Sequence, residues 1–106
     1  MQNLFDDIPT NLNEELLQTL AQTDGVRIER IVSNGQASAE GFWYDQDQAE
    51  FVVVIQGAAR LQLLEPDEVI EMKAGDFINI DAHRKHRVDW TDTDQPTIWL
   101  AIHYRD

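Results

Sequence analysis

Cysteine is absent from this chain of 106 residues. Neither disulfides nor thiolate metal sites can form, which excludes zinc fingers and iron–sulfur clusters. Any metal would have to be held by imidazole, carboxylate or water. Glycines are also few, and the five present are scattered as turn residues, so no phosphate-cradling loop is predicted. The length suits one hydrophobic core and predicts a single domain.

Basic side chains are scarce. Eight lysines and arginines stand against 20 acidic residues, which gives a net charge of −12. This charge repels phosphate backbones and anionic lipid surfaces, so we expect neither a nucleic-acid nor a membrane partner. Arg84, Lys85 and Arg87 are a local exception around His86. They form either a solvated turn or a positive rim that attracts an anionic small molecule.

Long apolar runs are lacking as well. The longest, residues 51–55 and 98–102, are too short to cross a membrane as a helix. The first residues have neither the positive nor the apolar region of a signal peptide. We therefore expect a cytoplasmic protein.

Beyond Gly25 the chain has the pattern of short strands separated by turn residues. The predicted strands cover residues 26–32, 41–45, 50–56, 58–64, 69–72, 77–80, 86–90 and 97–104. Short strands at this spacing predict an all-β sandwich or barrel.

One helix is predicted before the strands, over residues 9–21. Asn11 and Glu14 have the spacing of a capping box, and four leucines form one apolar stripe at positions 12, 16, 17 and 20. We expect this helix to pack on a barrel end or on a neighbouring subunit. The predicted organisation is an N-terminal segment over residues 1–25 and a barrel over residues 26–106.

Glu50 and His86 carry the strongest chemical signal. Glu50 opens an apolar strand, where an unpaired carboxylate would be costly, so it needs a cation, a hydrogen bond to Tyr44 or His103, or solvent in the barrel mouth. His86 shares strand parity with Val88 and Trp90, which predicts that all three point inward. A satisfied core histidine is the alternative to a ligand role.

Four residues are candidate metal ligands: Glu50, His86, Asp45 and His83. Asp45 lies just before Glu50 across a turn, although Tyr44 and Gln46 have the opposite parity and could serve instead. His83 joins His86 only if the intervening turn bends suitably. This mixed donor set would suit iron(II), manganese, nickel or zinc. The candidate substrate contacts are Trp43, Tyr44, Arg84, Arg87 and His103, although tryptophans are also typical of the core.

These residues resemble two motifs of the small single-domain cupins. The first motif has a glycine, two histidines one residue apart, a glutamate and, after six residues, a glycine. Glu50 and Gly57 match the last two, and Gly35 or Gly41 precedes them. The histidine pair is absent, and its places fall on Trp43 and Asp45 or on Tyr44 and Gln46.

The second cupin motif has a glycine, a proline and a histidine. Gly75 and His86 match it, whereas Asp81 replaces the proline and Trp90 replaces an asparagine that usually follows. The resemblance covers residues 26–104. It implies a jelly-roll β-barrel, often homodimeric, whose mouth normally holds a divalent metal on three histidines and a glutamate. Of those ligands, the resemblance carries over only Glu50 and His86.

Two functional hypotheses follow. The first is a metal-dependent enzyme, of oxygenase or isomerase type, that acts on a small and possibly anionic molecule. The second is a metal-free module that binds or senses a small ligand in the barrel cavity, and the missing histidine pair favours it.

Overall fold

Eight β-strands make up the regular structure of residues 1–105, the part of the chain that this computed structural model describes. The strands are β1 (Leu16–Gln22), β2 (Val26–Ser33), β3 (Ala49–Gln56), β4 (Ala58–Leu63), β5 (Glu68–Lys73), β6 (Phe77–Ile80), β7 (His86–Thr91) and β8 (Thr97–Tyr104). The predicted all-β class is confirmed. Of the strands predicted beyond Gly25, only residues 41–45 form no strand; there Tyr44 makes a single bridge to His86.

The strands form two antiparallel sheets that face each other. The larger has the order β1-β2-β8-β3-β6 and the smaller the order β5-β4-β7. Their inner faces enclose the hydrophobic core, which contains Val52, Val54, Ala59, Leu61, Leu63, Met72, Ile80, Trp99 and Ala101. This two-sheet arrangement is the jelly-roll barrel predicted from the sequence.

The predicted helix over residues 9–21 is wrong. Residues from Leu16 to Gln22 form β1 instead, which pairs with β2 from Leu16 opposite Val32 to Gln22 opposite Arg27. A short isolated helix is marginal in water, whereas the open edge of β2 offers backbone hydrogen-bond partners along its length. Strands from both sides of the predicted boundary at residue 25 therefore lie in one sheet.

Trp90 does not point inward as its parity predicted; it is 39% exposed. The pairing of β7 with β4 shifts by one residue between Val88 and Trp90. This bulge moves later residues of β7 to the opposite face, so Trp90 turns outward and Thr91 is fully buried. His86 precedes the bulge and is buried, as predicted.

Candidate functional site

A cavity of about 180 Å³ lies between the two sheets, next to the core. Its apolar lining consists of Leu17, Ile31, Val52, Leu61, Ile80, Val88 and Trp99. Its polar lining consists of Glu15, Arg27, Glu29, Tyr44, Gln46, Glu50, His86 and His103. An apolar pocket with a few converging polar groups is typical of a small-molecule site.

Strand register brings several of these polar residues into one row. On β8, His103 lies opposite Arg27 of β2 on one side and opposite Glu50 of β3 on the other. Because paired residues on neighbouring strands share a face, all three side chains lie on the cavity side of the sheet.

Glu50 and His86 reach the cavity from opposite sheets. Glu50 Oε1 lies 3.4 Å from His86 Nε2, and their side chains are only 12% and 8% exposed. His86 Nδ1 lies 3.0 Å from the carbonyl oxygen of Arg84 and donates to it, because a carbonyl can only accept. Nε2 therefore remains the ring atom that faces the carboxylate.

Opposing effects act on the pKa of His86. Burial lowers it, but hydrogen bonding to Glu50 and to the Arg84 carbonyl raises it, as does the charge of Glu50, and the net pKa is raised above 6.5. The raised pKa favours the protonated imidazole, whose Nε2 then lies as a proton donor next to the Glu50 carboxyl group.

A second histidine and carboxylate pair lines the same cavity. His103 Nε2 lies 2.8 Å from Glu29 Oε1, and the Nε of Arg27 lies 3.4 Å from the other oxygen of Glu29. Glu29 is thus engaged on both oxygens. Glu50, by contrast, has only His86 as an ion-pair partner among the described residues.

The pKa values of Glu15 and Tyr44 are both raised above their ordinary values. Burial raises the pKa of Glu15, a hydrogen bond from Ser33 lowers it in part, and the charge of Glu50 raises it further. Burial, followed by the charges of Glu15 and Glu50, raises the pKa of Tyr44. The Tyr44 ring is stacked on His86 with centroids 5.3 Å apart, so it shields the imidazole from solvent.

Two polar atoms of the cavity residues are buried without a hydrogen-bond partner among residues 1–105. They are the Nε of Arg27 and the Oε1 of Gln46. Such orphaned groups are rare in folded proteins and are explained when a ligand or water completes them. Arg27 Nε is a donor and Gln46 Oε1 is an acceptor, so a molecule with both kinds of group would fit.

The predicted site residues are found in three places. Glu50, His86, Tyr44 and His103 line the cavity. Asp45 and His83 pair with each other at 2.9 Å, with side chains 45% and 68% exposed. Trp43, Arg84 and Arg87 do not line the cavity.

The two predicted arginines, Arg84 and Arg87, donate their hydrogen bonds to carbonyl and carboxylate groups outside the cavity. Arg84 donates to the Leu64 and Pro66 carbonyls and to Glu68, and Arg87 donates to Asp89 and to carbonyls of the 38–39 segment. Trp43 lies beneath Arg87, with 5.9 Å between the guanidinium carbon and the ring centroid.

Arg27, Glu29 and Glu15 were missed by sequence reasoning. In β2 the alternation is Val26, Arg27, Ile28, Glu29, and its apolar members indicated the opposite face as the buried one. The pairing of β2 with β8, in which Arg27 lies opposite His103, places Arg27 on the cavity face. This register cannot be deduced from the sequence of one strand alone.

The family's usual metal centre does not fit these residues. Tyr44 and Gln46, not Trp43 and Asp45, face the cavity at the places of the missing histidine pair. A phenol held neutral and an amide replace two imidazoles there. Among the described residues, no three His, Asp or Glu side chains form a metal-ligand cluster. Glu50 and His86 are the two donors that remain.

Comparison with known families and structures identifies relatives of the whole chain. The family model described as "Cupin domain" matches residues 30–103. A structure from Ralstonia eutropha JMP134, described as a "putative mannose-6-phosphate isomerase", is 44% identical. Its TM-score is 0.96, and the match covers 100% of this chain and 98% of that one.

More distant structures share the fold alone. A cupin superfamily protein from Desulfitobacterium hafniense DCB-2 is 22% identical, with a TM-score of 0.75 and coverage of 93% and 84% of the two chains. An RmlC-like cupin from Methanocaldococcus jannaschii is 17% identical, with a TM-score of 0.69 and coverage of 92% and 85%. A search of curated proteins found no match.

Proposed function

We propose that this chain, which belongs to the cupin domain family, binds a small hydroxy-carbonyl compound in the barrel cavity and isomerises it by proton transfer. The observation that carries the proposal is the Glu50 and His86 pair. A carboxylate and an imidazole with a raised pKa lie 3.4 Å apart in a largely apolar cavity. Such a pair supplies a base and an acid to the same substrate.

The reaction needs only these two groups. Glu50 takes the proton from the carbon next to the carbonyl, and the C–H electron pair forms the double bond of an enediol. His86 donates its Nε2 proton to the carbonyl oxygen in the same step. Glu50 then returns its proton to the former carbonyl carbon, and the neighbouring hydroxyl gives its proton to His86. The carbonyl has moved by one carbon, and both residues are restored.

The reaction type is supported by the Ralstonia relative. At 44% identity over the full chain, that protein is described as an isomerase of a sugar phosphate. The size of the cavity, about 180 Å³, favours a molecule of a few carbons or one end of a longer molecule.

The divalent metal predicted from the sequence stays a prediction. Glu50 and His86 would supply its ligands, and the buried oxygen of Gln46, which has no hydrogen-bond partner among residues 1–105, is a candidate for a third. Catalytic zinc sites usually have three protein ligands, and Glu50 and His86 supply only two, so the proposed proton transfer involves no metal.

Binding without catalysis is the second candidate function. It is favoured by Tyr44 and Gln46, which line the cavity with a phenol and an amide at the places of the missing histidine pair. The same cavity would then hold a small ligand as a sensor.

Hydrogen exchange separates these functions. The protein is incubated in D₂O with glyceraldehyde, dihydroxyacetone and their phosphates, and loss of the carbon-bound proton is followed by NMR. We expect exchange that falls about 100-fold or more in Glu50→Gln and in His86→Gln. Glu71→Gln, an exposed change of the same kind on β5, should leave the rate unchanged.

Chelator treatment completes the experiment. Exchange that survives chelation supports proton transfer by the residues alone. Exchange that is lost and then restored by iron(II), manganese, nickel or zinc, with about one metal bound per chain, would support the metal-dependent hypothesis instead. Ligand binding without exchange would leave only the sensor function.

We also propose that two copies associate through the outer face of the larger sheet. Phe51 of β3 and Phe77 of β6 are neighbours there, with centroids 5.3 Å apart, and Phe77 is 66% exposed. Strand β3 is apolar on both faces, and the smaller sheet covers only the inner one. Because each chain carries a net charge of −12, an uncharged face is where two copies meet with least repulsion.

Cytoplasmic location remains a prediction; no membrane-spanning helix is found in the described part of the chain.

A further inference from the structure

We infer that Arg27 anchors an anionic group of the ligand, so that the substrate is a carboxylate or phosphate and not an uncharged molecule. This inference rests on the proposed function, because it concerns the same cavity. Among residues 1–105, Arg27 is the only arginine or lysine that lines the cavity, and its side chain is 36% exposed, so it is accessible from solvent.

The free fork of Arg27 distinguishes it from the structural arginines. Arg30, Arg84 and Arg87 each donate three hydrogen bonds to protein acceptors. The Arg27 side chain donates none among residues 1–105, and its buried Nε has an ion-pair partner in Glu29 but no hydrogen-bond partner. A guanidinium presents donors in a planar fork that matches carboxylate and phosphate oxygens.

The neighbours of Arg27 leave this fork available. Glu29 lies 3.4 Å from the Arg27 Nε, but its other oxygen is bound to His103 at 2.8 Å. The carboxylate is therefore fixed and shared, and it compensates part of the arginine charge without occupying the terminal nitrogens. An incoming anion would complete the coordination of Arg27 and leave the Glu29 and His103 pair intact.

The distance between Arg27 and the reacting pair sets the length of the ligand. Arg27 and Glu50 are separated by one strand, with His103 between them in the same row. Two strand spacings correspond to roughly 9.5 Å between their Cα atoms, and the side chains converge on the cavity. An anionic group on Arg27 would place a carbon a few bonds away beside Glu50.

Binding of charged and uncharged analogues tests this inference. The probes are glyceraldehyde 3-phosphate, glycerate and uncharged glyceraldehyde, and affinity is measured by calorimetry. We expect Arg27→Gln to weaken the binding of at least one anionic probe about tenfold or more and to leave glyceraldehyde unchanged. Arg60→Gln removes the same charge from β4 outside the cavity and is the matched control.

Several results would overturn the assignment. Equal loss for charged and uncharged probes would mean that Arg27 shapes the site without recognising the anion. Unchanged binding of both anions, or no binding of either anion to the original protein, would also contradict it. Arg27→Lys keeps the charge but loses the fork, so intermediate affinity is expected, and thermal unfolding checks that each variant is folded.

The outcome is separable from that of the proposed function. If the anionic probes bind through Arg27 but no proton exchange is seen, isomerisation fails and the anion site stands. If exchange depends on Glu50 while Arg27→Gln leaves anion binding unchanged, the anion site fails and isomerisation stands.

Discussion

Replacing Glu50 by Gln should destabilise the fold by an amount that depends strongly on pH. The substitution keeps the size of the side chain and removes its charge. The side chains of Glu50 and His86 are 12% and 8% exposed, so solvent screens the pair little. Removing one partner of a buried ion pair costs about 3 kcal/mol or more while the other partner stays charged. Once His86 is neutral, only a hydrogen bond is lost, which costs about 1 kcal/mol.

The sign follows from the direction of the His86 shift. The folded protein raises the pKa of His86 above 6.5, so the pair contributes its full stability below pH 6.5 and loses it as pH rises through the folded pKa. In Glu50→Gln, burial and the Arg84 carbonyl remain, and burial is the larger effect. The pKa of His86 should then fall below its ordinary value, and His86 should contribute stability that increases with pH.

Urea unfolding at a series of pH values measures this difference. Trp99 is a suitable fluorescent reporter because it is buried and lines the cavity. The two proteins should differ by about 3 kcal/mol near pH 5.5 and by about 1 kcal/mol near pH 8.5. A difference that is constant across this range, or one that grows with pH, would refute the assignment of an ionised pair. When both proteins also carry His86→Gln, the effect of Glu50→Gln on the free energy of unfolding should no longer depend on pH.

Two further predictions concern the turn after β3 and the outer sheet face. Gly57→Ala should cost roughly 3 kcal/mol, because Gly57 has φ +90° and an added Cβ would lie 2.8 Å from the Thr97 Cα. Gly25→Ala should be near neutral in the same thermal unfolding assay, because no atom among residues 1–105, apart from those of its chain neighbours, lies within 4 Å of the added Cβ, and equal effects of the two substitutions would contradict this. Phe77→Asp should convert a dimer to a monomer in sedimentation velocity, whereas Val69→Asp, 63% exposed on the other sheet, should not. A wild-type monomer would refute the proposed interface.

The strands were predictable because their signals are local. Alternation, β-branched residues and turn glycines marked seven of the eight strands close to their observed ends. The exception, β1, has a leucine spacing that also fits a helix, and the deciding factor is the free edge of β2. That edge exists only once the sheet has formed, so a local pattern could not reveal it.

The site was predictable in part for the same reason. Glu50 and His86 stand out in sequence because each is a polar residue on a strand face that must be buried. Arg27 and Glu29 alternate with the apolar Val26 and Ile28, so the pattern within β2 favoured the opposite face, and their inward position depends on pairing with β8. Asp45 and His83 were reasonable candidates by spacing, but they meet each other at the exposed end of a turn.

Tyr44 and Gln46 at the places of the histidine pair change the metal-binding chemistry of the cavity while the backbone of this segment keeps its position. Backbone hydrogen bonds join Tyr44 to His86 in both directions, at 2.7 and 3.1 Å, so the segment keeps its place beside the barrel. The Tyr44 phenol then covers the imidazole instead of offering a lone pair to a metal. With a phenol and an amide at these two positions, the Glu50 carboxylate lies 3.4 Å from His86, and this contact is the basis of the proposed proton transfer. We therefore expect the double substitution Tyr44→His and Gln46→His to create metal affinity in the cavity. The metal would then compete with the contact between Glu50 and His86.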